Sequence, residues 1–134
     1  MDELLKDLEN IKAFLLKKYA QAIPDRIIAR TQSGFDVNDM QFIEYRPYTI
    51  QKKIEKGQTW QHVTMTDEFN MLPSISPFFS FTNDVLSFGF SSEAMNARAW
   101  RHQTGSGIAK REFFGFSESD AEFLTELGQE WIDL

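Results

Sequence analysis

The run Ile75-Ser76-Pro77-Phe78-Phe79-Ser80-Phe81, the triplet Thr82-Asn83-Asp84 and the run Val85-Leu86-Ser87-Phe88-Gly89-Phe90 decide how this chain is read. Two β-prone segments flanking Asn-Asp turn chemistry predict an antiparallel hairpin. In the second run Val85, Ser87 and Gly89 alternate with Leu86, Phe88 and Phe90, so the latter three share one face of the sheet. Helical patterns lie on both sides of this hairpin. The predicted class is therefore α+β: a small antiparallel sheet with a long N-terminal helix and further helices packed on it.

Upstream, Leu4, Leu8, Ile11, Leu15 and Ala22, flanked by Leu5, Phe14, Leu16 and Tyr19, repeat at the spacing of one helix face over residues 2–23. Asp2 and Glu3 open this helix and Lys17 and Lys18 lie near its end, as the helix dipole favours. Pro24 predicts a break. A second short helix through Ile27, Ile28 and Arg30 to Gly34 follows, with a strand over residues 27–29 as the alternative. Residues 35–45 are rich in Asp and Asn and read as a loop. Pro47 fits the first position of a helix through Tyr48, Ile50, Ile54 and Lys56, with Gly57 just beyond its end. Residues 60–66 are β-prone, and residues 67–72 suggest one helical turn before Pro73.

Downstream, Ser91-Ser92-Glu93 caps a helix continuing through Met95, Ala99 and His102. Gly105-Ser106-Gly107 reads as a loop with positive φ, and residues 108–114 as an edge strand. Ser117-x-x-Asp120 has the form of a capping box. The helix it opens is expected to turn Ala121, Leu124, Leu127 (or Gly128) and Trp131 inward.

At 134 residues the chain is expected to form a single domain, 1–134. Its 13 Phe either fill the core or serve a partner surface as well. The net charge of −6 argues against a surface built for nucleic-acid phosphates. The charge is uneven: Glu112, Glu118, Asp120, Glu122, Glu126, Glu130 and Asp133 follow Arg98, Arg101, Lys110 and Arg111, and no Lys or Arg lies among or after them. Such a split is either a solvated acidic face or two complementary halves of a contact between subunits. The absence of Cys excludes disulfides and thiolate metal sites and fits a reducing compartment. The acidic N-terminus lacks the form of a signal peptide, and no apolar run has the ~18 residues of a membrane span.

Chemical signatures are sparse. His62 and His102 are isolated, without the His-Glu-x-x-His spacing of a zinc site, and His102 reads as a packing or hydrogen-bonding residue. Gly105-Ser106-Gly107 lacks the Gly-Lys-Ser/Thr of a phosphate loop, and no Gly-x-Ser-x-Gly elbow occurs. Glu122, Glu126 and Glu130 form one acidic stripe on a helix, not a shielded acid/base pair. Lys52, Lys53, Glu55 and Lys56 stand near Tyr45, Tyr48 and Trp60, a pattern that binds single strands in some proteins. A solvated helix is the simpler reading. The expectation is no enzyme activity, no metal and no cofactor.

Two motifs remain: Ala99-Trp100-Arg101-His102-Gln103-Thr104-Gly105 and Arg111-Glu112-Phe113-Phe114-Gly115-Phe116-Ser117. Together they resemble the His-Gln-x-Gly … Arg-x-Phe-Leu-Gly-x-Ser segment of the phage virion morphogenesis (tail-completion) family. The resemblance extends in order over residues 34–120. It takes in Arg46-Pro47-Tyr48-Thr49 with Lys52-Lys53, then Val63-Thr64-Met65-Thr66, Met71-Leu72-Pro73-Ser74-Ile75 and the second run of the hairpin. Departures are Thr66-Asp67-Glu68-Phe69 for a Thr-Gly-x-Leu turn, Thr104 for an aromatic, and Glu112 for a proline. The resemblance marks His102, Gln103, Gly105, Arg111, Phe113, Phe114, Gly115 and Ser117 as motif or interface residues. It implies a structural neck protein of a tailed phage or prophage, located in the virion and assembled in the bacterial cytoplasm. Such a protein completes the tail and helps join it to the head as a homo-oligomeric ring, preferably a hexamer, with a dodecamer as the other option. Its neighbours would be tail-tube or tail-terminator proteins and head-completion or connector proteins, with no membrane and no direct nucleic-acid binding. Apolar contacts around Phe78, Phe79 and Phe81 would contribute to the ring. The alternative is a small intracellular bacterial binding or adaptor domain without catalytic activity.

Overall fold

The computed structural model describes residues 2–65, 71–80 (78–80 as backbone) and 85–133. Its elements are helix α1 (Asp2–Gln32), helix α2 (Pro47–Glu55), a 3-10 turn (Leu72–Ser74), strands β1 (Ile75–Ser80) and β2 (Val85–Phe90), and helices α3 (Glu93–Thr104) and α4 (Glu118–Asp133). The class is α+β, with a long N-terminal helix and a two-stranded antiparallel sheet. The strands pair from Ile75 opposite Phe90 to Ser80 opposite Val85. Phe90 is buried, with Leu86 and Phe88 half-buried on the same face, as the alternation requires. α1 packs on both strands and on α4, and α3 packs on β2. Ile27, Phe42, Val63, Leu72, Ile75, Phe90, Ala99 and Phe113 are among the residues that form the core between them. No helix among the described residues is long and apolar enough to cross a membrane.

Local signals set most boundaries. Pro47 lies in the first turn of α2 and Gly57, at φ +68°, follows its end. The Ser92 hydroxyl caps α3 by accepting from the Met95 N–H at 3.2 Å. The Ser117–Asp120 capping box is complete: the Ser117 N–H donates to Asp120 Oδ2 at 3.0 Å and the Asp120 N–H to Ser117 Oγ at 3.1 Å.

Other expectations are corrected. α1 does not break at Pro24, and residues 27–29 are not a strand. Proline deprives the Ala20 carbonyl of its helical donor. Burial of Pro24, Ile27, Arg30 and Thr31 carries the helix past that gap. Residues 60–65 form no strand despite their β-prone composition, because strand propensity needs a partner strand to express it. Residues 108–114 form no edge strand either. Ala121 is exposed, while Leu124 and Gly128 are buried and Leu127 and Trp131 half-buried. Residues 67–70 of the helical turn expected over 67–72, the turn at 82–84, Phe81, and the side chains of Phe78 and Phe79 lie outside the described residues.

The first half of α1 keeps its apolar face in solvent: Leu4, Leu8 and Ile11 are 60%, 53% and 50% exposed, and Leu5 and Phe14 are exposed beside them. Packing begins further along. The Tyr19 hydroxyl donates to the Leu124 carbonyl at 2.8 Å, and its ring meets Trp131 edge-on at 4.8 Å. Gly128 allows this close approach, since a Cβ there would fall 2.1 Å from the Tyr19 oxygen.

Candidate functional site

The end of α3 and the segment after it come together in one junction. α3 stops at Gly105, whose φ of +76° terminates the helix in the left-handed conformation. A Cβ there would also crowd the Lys110 Cβ at 3.0 Å. The chain returns along α3, and the Arg111 N–H donates to the His102 carbonyl at 2.6 Å. Gln103 then holds the returning backbone with its amide. Its Oε1 accepts from the N–H groups of Phe113 and Phe114 at 3.2 and 3.1 Å, and its Nε2 donates to the Phe114 carbonyl at 3.0 Å. The Glu112 carbonyl accepts from the Val37 N–H at 2.9 Å. A side chain and scattered loop bonds thus occupy the polar groups that a neighbouring strand would have paired, which is why no edge strand forms.

Phe113 is fully buried and, with Phe114, packs on Phe90 at ring separations of 6.1 and 5.1 Å. Behind it lies a polar lock. Arg30, from the second half of α1, donates through Nη2 to the Phe113 carbonyl and through Nη1 to the Gly115 carbonyl at 3.2 Å and to Asp120 Oδ2 at 2.5 Å. Arg26 Nε donates to Asp120 Oδ1 at 2.8 Å. Arg30 and Asp120 are 5% and 0% exposed. Burial lowers the Arg30 pKa against the opposing pull of Asp120. Next to the lock, Asp39 accepts from the Ser119 N–H at 3.0 Å and hydroxyl at 2.5 Å, and these bonds hold its carboxyl below the usual range.

On the other side of the junction is a cleft of about 720 Å³, lined in part by Tyr45, Arg46, Lys53, Arg98, His102 and Arg111. Arg111 donates through Nε and Nη2 to the Ile43 carbonyl at 3.2 and 3.1 Å. The Tyr45 ring lies 4.7 Å from Lys53 Nζ and 5.3 Å from the Arg111 guanidinium. Lys53 is 7% exposed, so it does not serve the solvated helix face expected of it. His102 Nδ1 is buried without a hydrogen-bond partner among the described residues. Burial, reinforced by Arg111 and Arg98, pushes the His102 pKa down to about 4, so the imidazole is neutral near pH 7.

Of the eight motif residues, His102 is joined to Arg111 and Gln103 to Phe113 and Phe114, Gly105 lies against Lys110, and Gly115 and Ser117 border the polar lock through Arg30 and Asp120. Sequence reading missed Arg26, Arg30 and Asp39 in the lock; it set Lys53 near Tyr45 but preferred a solvated helix to a cleft. Asp120 was legible as a cap and not as the partner of Arg30. Among the described residues no three His, Asp or Glu side chains are grouped to hold a metal ion. Comparison with protein-family models, with curated proteins and with solved structures finds no match to this chain.

Proposed function

We propose that this chain is a structural assembly protein of a tailed phage or prophage, a ring-forming neck subunit that completes the tail and helps join it to the head. The observation that carries the assembly part is the uncovered apolar stripe of α1. Over residues 2–14 the helix extends about 20 Å with Leu4, Leu5, Leu8, Ile11 and Phe14 in water. Contiguous apolar surface of this kind marks a site of association. The neck assignment draws on the resemblance of the His102–Ser117 region to the virion morphogenesis family. The dense packing of that region is consistent with a rigid subunit. A closed ring requires a head-to-tail interface whose rotation returns to its start, and the free half of α1 is available for one side of it.

The test is a virion reconstruction. Density for this chain at the neck in rotational copies is the expected result, and absence from finished particles overturns the reading. An adaptor domain instead predicts a monomer or dimer in solution and no place in the particle.

A further inference from the structure

The cleft beside the motif gathers positive charge in a chain whose net charge is −6. Arg46, Lys53, Arg98 and Arg111 line it, and Glu44 is the only carboxylate lining it among the described residues. Two features show that, among the described residues, this charge is incompletely answered. Lys53 is 7% exposed, yet its ammonium faces the Tyr45 ring and has no carboxylate partner among the described residues. A buried ammonium without a counter-charge is costly. Burial also lowers the Arg111 pKa, and its guanidinium donates to the Ile43 carbonyl, a neutral acceptor. Burial is the main cause of the depressed His102 pKa, and Arg111 and Arg98 add to it. The volume suits a guest's side chains, and Ile43, Leu72 and Ile108 give the walls an apolar component.

The same chain carries the complement. On α4, Glu122, Glu126 and Glu130 are exposed and form no ion pair among the described residues. They stand one turn apart, about 6 Å along the axis. They lie away from Leu124 and Gly128, which are buried on the side facing α1. We propose that the cationic cleft of one copy is the socket for the acidic face of α4 from a second copy, with Glu122 and Glu126 answering Arg46, Lys53 and Arg111. Socket and face are different surfaces of one subunit, so the contact is head-to-tail and propagates from copy to copy. This rests on the assembly reading above and names the partner of this site. Exposed charge pairs are screened beyond about 8–10 Å near physiological ionic strength, so the contact weakens with salt.

The chain has no Cys, so introduced thiols report without interference. Arg46 and Glu126 are exposed, and both substitutions spare the core. Full-length Arg46→Cys, Glu126→Cys and the double variant are treated with a short bis-maleimide at millimolar chain concentration and low salt. The double variant should give a covalent ladder, a mixture of the two single variants should stop at dimers, and each single variant alone should give none. High salt should suppress the ladder. A double variant that gives no ladder overturns the proposal, and so does efficient coupling of Arg46→Cys to itself, which assigns the cleft another occupant. Neck rings in a virion without this cross-link leave the assembly reading standing and remove the socket. A ladder from a chain absent from virions does the reverse.

Discussion

The two halves of α1 carry similar apolar spacing and meet opposite fates. In residues 2–14, Leu4, Leu8 and Ile11 point into water. In the half that follows, Tyr19 locks onto α4, Ile27 enters the core, and Arg26 and Arg30 close on Asp120. Periodicity alone did not separate them. What differs is the presence of polar partners far along the chain that fix the second half in one orientation. Apolar spacing makes a helix ready to be buried, and the long-range polar contacts settle which part the subunit keeps for itself.

The sharpest way to break this contrast is Asp120→Ala. Removing one member of a buried charge pair strands the other, so a loss of about 3–5 kcal/mol is expected in urea denaturation. Arg30 would then sit at 5% exposure without its counter-charge. Next comes Gly128→Ala, expected to cost about 1–3 kcal/mol because the new methyl must displace the Tyr19 hydroxyl. Tyr19→Phe relieves that clash, so the double variant should be more stable than the sum of the single losses predicts. Additive losses would show that the halves are not coupled through Tyr19.

Acid offers a third probe. The His102 pKa is about 4 in the folded chain against an ordinary 6.5. The unfolded chain therefore binds a proton first as pH falls. Stability contributed by the neutral imidazole is full above pH 6.5 and is lost as pH drops towards 4, by roughly 1–3 kcal/mol. His102→Gln should flatten that part of the profile, and an unchanged slope would refute the assignment. The smallest expected effect on folding is Leu8→Gln, within about 0.5 kcal/mol because the site is exposed. The same variant should lower self-association in sedimentation or incorporation into particles. A stability loss above 1 kcal/mol would mean that the free half is held within the subunit after all.

The parts legible in the sequence are those written by neighbours in sequence. Pro47 and Gly57 bound α2, Ser92 opens α3, and Ser117 with Asp120 opens α4. The alternation of Leu86, Phe88 and Phe90 likewise placed the sheet face. What stayed hidden is what the far chain decides. Pro24 interrupts a local rule that burial of the following turn overrides. Residues 108–114 have strand composition, but Gln103 satisfies the backbone of Phe113 and Phe114 before a strand can. Lys53 looks like any helix-surface lysine until Tyr45 is placed beneath it. At the candidate site, the motif residues were named from the sequence, whereas the lock and the cleft on either side of them depend on helices brought together by the fold.

Asp120 also sets an order of events. It joins Arg30 across ninety positions of chain, a separation that makes its closure slow compared with helix formation. During synthesis α1 emerges long before α4 exists. Until then Arg30 has no buried carboxylate to meet, and the end of α1, the aromatic segment and the start of α4 cannot settle separately. Closure of this one carboxylate is expected to finish all three together, so a subunit becomes competent to associate only once α4 has been made.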